Sequence, residues 1–256
     1  MIKARMLSFT EGKPIARITT GKYKGKIIYV DEKEEAEGPH YQKIDLRANT
    51  LDPILDPEYR NIAYIAGPSG SGKSTYAAQL TETFHKLFPK KHIFFFGRKG
   101  IDEDPAFKNV LKSIKQVPIN DKLAANPVML EDIDKGSLVI FDDVSTIYDK
   151  AQKDVVYKLI MDLMEVGRSR KIDMIITNHL INPQAREFGR TVLNEMHTLT
   201  VFGRSGSRYQ IEYALKKYFG LDKKQIDELL KLPGRWFTLF KSYPITVLHP
   251  HGAYVL

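Results

Sequence analysis

The spacing of apolar and polar positions changes character along this chain. Before residue 50, "PIARITT" and "GKIIYV" alternate β-branched and polar positions around the turn "GKYKGK", which predicts short paired strands. "RANTLDPILDPEYR" follows with its Asp-Pro pairs and predicts a linker over 51–60. From residue 61 short unbroken apolar runs take over: "IAYIAG", "HIFFFG", "SLVIFDDV", "IDMIITNH" and "HTLTVFG". Such runs predict strands buried on both faces of a parallel sheet.

Between the runs the period becomes helical. "TYAAQLTETFHKLF" predicts a helix stopped by Pro89, and "AQKDVVYKLIMDLMEVGRSR" a long amphipathic one. In the second, Val155, Leu159, Leu163 and Val166 lie at helical spacing and are expected to face the core. Residues 101–136, broken by Pro105, Pro118 and Pro127, read as short helices and turns. "YQIEYALKKYFG" and "DKKQIDELLKL" predict two more helices, and the tail after Arg235 predicts strands with a turn at "HPHG". The expected class is α/β: a core over 61–256 with a mainly parallel central sheet, C-terminal helices and a β-hairpin, plus a small β-rich N-terminal appendage over 1–50.

Composition narrows the classes. Hydrophobic residues at 43% suffice for a buried core, and no segment approaches the roughly 18 unbroken apolar residues of a membrane span. The absence of cysteine excludes a disulfide scaffold or a thiolate zinc site and suits a reducing compartment. The 7 histidines show no metal-type spacing. A net charge of +8 raises the case for a polyanionic partner, against the plain alternative of solubility. The charge is uneven: residues 1–30 are basic, whereas 31–37 is "DEKEEAE".

The chemistry begins at "GPSGSGKS", which fits the pattern GxxxxGK followed by Ser or Thr. Gly67, Pro68, Ser69, Gly70, Ser71 and Gly72 form a loop whose backbone N–H groups can curl around phosphates at a helix N-terminus. Lys73 is expected at the β- and γ-phosphates, Ser74 on Mg²⁺, and Thr75 near the α-phosphate. Hydrolysis needs carboxylates as well, and "LVIFDDV" supplies them: Asp142 for Mg²⁺ and Asp143 as general base. Adjacent carboxylates repel unless a cation lies between them, which favours the metal reading.

Further on, "ITNH" offers Asn178 to orient water or sense the γ-phosphate, or simply to cap a turn; His179 reads as its neighbour. In "GRSRK", Arg168 is the first candidate for an arginine finger reaching a neighbouring subunit, with Arg170 beside it. The other account of both is an exposed charge favouring a helix C-terminus. Arg98, Arg204 and Arg208 compete for the finger role. Arg186 and Arg190 in "NPQAREFGR" are candidates for contacts to the phosphates of a polyanionic partner, or ordinary exposed charges.

The order of these motifs over residues 60–256 resembles the FtsK/HerA superfamily of P-loop ATPases. The tail "LKLPGRWFTLFKSYPITVLHPHGAYVL" resembles its viral branch, the genome-packaging ATPases of large DNA viruses and virophages of the poxvirus type. The resemblance implies a RecA-like core and ATP with Mg²⁺ as cofactors. It further implies a homo-oligomeric ring around double-stranded DNA bound without sequence preference, and ATP-driven packaging into a capsid. Capsid or portal-vertex proteins are then the further partners, and the host cytoplasm at the assembly site and the virion the locations. By position Lys73, Ser74, Asp142 and Asp143 match the family's site, while Asn178 stands where the family often has Gln. Two other functions stay open: a P-loop phosphotransferase acting on nucleotides or polynucleotides, and a nucleotide-gated DNA-binding or assembly protein. Phosphate release stimulated by duplex DNA, without a phosphorylated product, separates the first reading from both.

Overall fold

The computed structural model describes residues 7–31, 43–46, 50–181, 186–242 and 244–256, with the backbone alone at Arg186. The acidic run over 32–37 and the side chain of Arg186 lie outside the described residues. In chain order the first strands are β1 (Leu7–Ser8), β2 (Lys13–Ile18), β3 (Ile27–Val30), β4 (Lys43–Asp45) and β5 (Leu51–Pro53). Then come β6 (Ile62–Ala66), α1 (Lys73–Leu87), β7 (Ile93–Gly97), β8 (Ile114–Pro118), α2 (Asp121–Ala125), β9 (Leu138–Phe141), α3 (Lys150–Val166), β10 (Asp173–Asn178) and α4 (Arg186–Glu195). The remainder is β11 (Thr198–Val201), α5 (Arg208–Tyr218), α6 (Lys223–Leu230), β12 (Phe237–Phe240), β13 (Thr246–His249) and β14 (Gly252–Val255).

The chain divides into two compact units, Pro57–Met196 and Met1–Asp56 with His197–Leu256. The first holds a parallel sheet in the order β8-β7-β9-β10-β6. Every residue of β6, β7, β9 and β10 is buried, as continuous apolar runs require when helices cover both faces. Helix α1 packs on β6 and β10, and α4 on β6 and α3. Because all strands are parallel, the loops after β6, β7, β9 and β10 gather at one edge of the sheet, where ligands of open α/β sheets bind.

The second unit has antiparallel ladders. Its small sheet runs β1-β3-β2-β5, and a second ladder links β11, β12, β13, β14 and β4. Leu7, Ile15, Ile18, Ile28, Val30 and Leu51 share one core with Phe240, Leu248, Ala253 and Val255. The N-terminal strands thus share their core with the C-terminal ones, as strands packed on the rest of the chain.

The α/β class with a parallel core sheet and a small antiparallel N-terminal sheet is as expected; several local features differ. Residues 51–60 are not a linker throughout, since Leu51–Pro53 pairs with β2. Proline fits there because β5 is the edge strand, where a missing N–H breaks no ladder. Arg60 is an anchor: its guanidinium donates to the Leu163 carbonyl, to Met164 O at 3.1 Å and to Ile172 O at 2.7 Å, closing the C-terminal end of α3. The buried stripe of α3 is Val156, Leu159, Ile160, Leu163 and Met164, whereas Val166 is 52% exposed and Val155 only half-buried. Residues 101–136 also contain β8, whose half-exposed positions reflect its place at the sheet edge.

Candidate functional site

The loop between β6 and α1 is shaped by its glycines. Gly70 has φ 74° and Gly72 φ 110°, conformations that side-chain-bearing residues rarely adopt. A Cβ at Gly70 would meet nothing within 4 Å, so glycine is needed there for the backbone turn and not for room. The Gly67 N–H donates to the Asn178 carbonyl at 3.0 Å and ties the loop to the end of β10. No side chain caps Gly72 and no acidic residue occupies the first turn of α1, so its leading N–H groups and the helix dipole suit an anion. Ser69, Gly70 and Thr75 are exposed, Pro68 and Ser74 half-buried, and the buried Ser71 Oγ has no hydrogen-bond partner.

Lys73 reaches into the site with 6% of its surface exposed. Its Nζ lies 3.3 Å from Pro68 O and 3.5 Å from Asp143 Oδ1. The second contact is charge–charge attraction, since Asp143 Oδ1 has no hydrogen-bond partner. The other oxygen, Oδ2, lies 3.3 Å from His179 Nε2, so one carboxylate bridges a lysine and a histidine. Asp143 adopts φ 45° and ψ 49°, a left-handed conformation uncommon outside glycine and tolerated best by Asp and Asn. That turn aims its side chain back over the loop.

Asp142 follows β9, its N–H donating to Phe96 O at 2.8 Å. The Thr177 hydroxyl donates to Asp142 Oδ1 at 2.8 Å and accepts the Asp143 N–H at 2.8 Å. One side chain of β10 thus positions both carboxylates. Burial, and then the Asp143 charge, push the Asp142 carboxyl up to about 6, against the lowering pull of Thr177 and Lys73.

Asn178 is placed differently from its expected role. It is fully buried; its Nδ2 donates to the Tyr64 hydroxyl at 3.1 Å and its Oδ1 accepts the His179 N–H at 3.0 Å. Burial raises the Tyr64 hydroxyl well above its ordinary range, so it stays protonated and can donate to the carbonyls of Leu180 and Ile181. Successive strand residues face opposite sides, so Asn178 points away from the side on which Thr177 meets the aspartates. Sequence reasoning placed Thr177 among the polar groups at the strand end but gave the role to Asn178, and a signal for Thr177 existed: Ile176 pairs with Phe141, so Thr177 falls beside Asp142.

The arginines disperse. Arg168 is exposed in the turn between α3 and β10, at the strand-start edge, opposite to the edge that carries Lys73. Arg170 donates to Ile133 O at 2.6 Å, a structural contact. Arg98, just past β7, donates to Thr146 O at 2.7 Å and lies 5.7 Å over the Tyr148 ring, bracing the turn that carries Asp143. Arg204, exposed, and Arg208, paired with Glu212 and Asp227, belong to the other unit. Arg190 is exposed on α4. Among the described residues no helix is long and apolar enough to cross a membrane.

A parallel sheet carrying a glycine-rich loop between β6 and an uncapped helix, with paired aspartates on a neighbouring strand, is the RecA-like P-loop fold. The chain belongs to the family of protein V3 of the Sputnik virophage, to which it is 42% identical over 257 residues, spanning 98% of this chain and 100% of V3. No model of a known protein family matches it. Solved structures share this fold at low sequence identity. The cytoplasmic domain of the Thermomonospora curvata type VII secretion ATPase EccC has a TM-score of 0.52 at 15% identity, over 82% of this chain and 28% of that one. The pCW3 conjugation coupling protein TcpA, solved with ATPγS, has a TM-score of 0.51 at 14% identity, over 95% and 77%. The genome-packaging NTPase B204 of Sulfolobus turreted icosahedral virus 2, in complex with ATPγS, has a TM-score of 0.50 at 12% identity, over 77% and 100%.

Proposed function

We propose that this chain hydrolyses ATP and couples the reaction to movement of double-stranded DNA into a viral capsid, as one subunit of a ring. The observation that carries the reading is the convergence of Lys73, Asp142 and Asp143 beside the uncapped start of α1. The loop from Gly67 to Gly72 with the first N–H groups of α1 cradles the phosphates, and Thr75 borders the α-phosphate. Lys73 turns from Asp143 to the β- and γ-phosphates. Asp143, then held only by His179, accepts the proton of the attacking water.

The residues fit a divalent cation of the magnesium type. Burial, and then the neighbouring Asp143 charge, raise the Asp142 carboxyl, and a hard cation on Asp142 and the Ser74 hydroxyl would offset that cost. No group of three or more His, Cys, Asp or Glu among the described residues forms a cage, which suits an ion held largely by phosphates and water. Bound there, Mg²⁺ supplies neutralising charge for the phosphates.

Arg168, exposed and at the far edge from its own Lys73, suits a role toward a neighbouring subunit's nucleotide. Arg190, with Arg186, belongs to the candidate DNA contacts. Kinship with a virophage protein supports a place at the viral assembly site in the host cytoplasm and in the virion, with capsid or portal-vertex proteins as partners. ATP turnover measured with and without duplex DNA, alongside the mass of the assembly, tests the reading. DNA-stimulated phosphate release by a ring supports it. A phosphorylated nucleotide or polynucleotide product replaces it with the phosphotransferase.

A further inference from the structure

In the unit without the nucleotide loop, the tip of the β2–β3 hairpin carries a concentration of positive charge. Gly21 (φ 77°) and Gly25 (φ 89°) turn the chain, and Ile18 closes the turn by donating to Lys26 O at 2.9 Å and accepting from Gly25 N–H at 2.7 Å. Lys22, Lys24 and Lys26 are all exposed on this tip. The ion pairs among the described residues include none of the three. Arg17, by contrast, stands in register with Asp52 of β5, which offsets its charge.

The tip is braced. The Phe9 and Tyr23 rings stack with centroids 5.6 Å apart at 18°. Lys26 Nζ lies 5.4 Å from the Phe9 centroid and 5.6 Å from that of Tyr23, while Lys22 Nζ lies 5.7 Å from Tyr23. Ring faces attract ammonium groups only weakly at exposed sites, by about 0.5–1 kcal/mol. That is enough to bias the two lysines toward one small area, where their like charges repel unless an anion joins them.

We infer that this hairpin tip is a contact for the phosphate backbone of double-stranded DNA, an inference that rests on the translocase reading. The chemistry selects the ligand. The two rings are half-buried, stack on each other and have lysines over them, which disfavours the base stacking that single strands use. Three exposed lysines offer point charges in place of the apolar pockets that peptide recognition uses. Point charges on flexible stems suit phosphates and carry no base readout, as a motor moving along any sequence requires.

The test uses the full chain with Lys22→Ser, Lys24→Ser and Lys26→Ser combined, and a labelled duplex of mixed sequence followed by anisotropy across a salt series. The slope of log affinity against log salt should become shallower by about 2 to 3 per bound protomer. DNA-free ATP turnover should not change, and the thermal midpoint should move by no more than about a few degrees. Replacing the same three lysines by arginine should preserve the wild-type slope. A wild-type protein that neither binds duplex nor responds to it sinks the translocase reading. A wild-type protein that responds, with the serine variant keeping its slope, overturns the hairpin inference alone.

Discussion

Lys73 and Asp143 face each other across the site at 3.5 Å, with the lysine almost wholly buried and the aspartate held in a left-handed turn. The two groups expected to handle phosphate and water are thus each other's partners, so any ligand that takes the lysine also releases the carboxylate.

Substitutions at the two ends should differ. Lys73→Ala removes the loop's only phosphate-directed cation and should abolish turnover while strongly weakening ATP binding. Asp143→Asn should keep ATP binding and lower turnover by about 10² to 10⁴, the usual worth of a positioned general base. Binding titrations with a fluorescent ATP analogue beside steady-state phosphate release separate the effects. Equal loss of binding in both variants would exchange the roles given to Asp142 and Asp143.

Thr177 and Asn178 should separate just as clearly. Thr177→Val preserves shape but leaves the Asp143 N–H and Asp142 Oδ1 without their common partner, at a cost of about 1–3 kcal/mol for a buried group left unpaired. Turnover should fall, and Thr177→Ser should restore it. Asn178→Ala should lower stability with a smaller effect on turnover, because its amide serves Tyr64 and His179. Denaturant midpoints and turnover at saturating ATP, measured on all three variants, decide it. A larger turnover loss in Asn178→Ala than in Thr177→Val returns the sensor role to the amide.

Arg168 tests assembly. If it acts on a neighbour, Arg168→Ala should bind ATP normally, lose about 10³- to 10⁵-fold in turnover, and poison mixed assemblies with wild type. Activity per wild-type subunit should rise with protein concentration, and duplex DNA should shift that rise to lower concentration. Activity that stays flat on dilution of a demonstrated monomer removes the finger.

The reasons why parts of this structure were legible in the sequence are physical. The phosphate loop is contiguous, and each of its residues acts through local backbone geometry, so eight adjacent letters specify it. The aspartates stand out because an uninterrupted apolar run precedes them. Thr177 was passed over in favour of Asn178 because its role comes from register with β9, a relation between distant segments. The buried face of α3 was drawn too far toward Val155 and Val166 because apolar residues cover more than one face of that helix, and only the packed neighbours choose among them. Pro53 mimicked a linker because an edge strand tolerates what an inner strand does not.

His249 offers a pH test in the unit without the nucleotide loop. Burial, and then the neighbouring His251 and Lys43, lower its imidazole from 6.5 to about 4, with the Pro233 carbonyl and Asp45 pulling the other way. A depressed basic group binds fewer protons folded than unfolded, so its share of stability is complete above about 6.5 and is lost as pH falls toward 4. Denaturant unfolding between pH 7 and 4 should show this decline, and His249→Gln should flatten it. An equally steep decline in the variant assigns the acid sensitivity to other groups.

The shared core of Val30, Ile28 and Leu248 has a consequence for how the protein is made. A ribosome delivers residues 7–30 before the parallel-sheet unit, yet the partners that complete their packing, from Phe240 to Val255, emerge only after it. The parallel-sheet unit, Pro57–Met196, is contiguous and can fold while translation continues. The earliest strands must therefore wait, with apolar faces uncovered, for the latest ones. Stalled or truncated chains lacking the final strands should present those faces to chaperones and proteases even where the nucleotide-binding half is already formed.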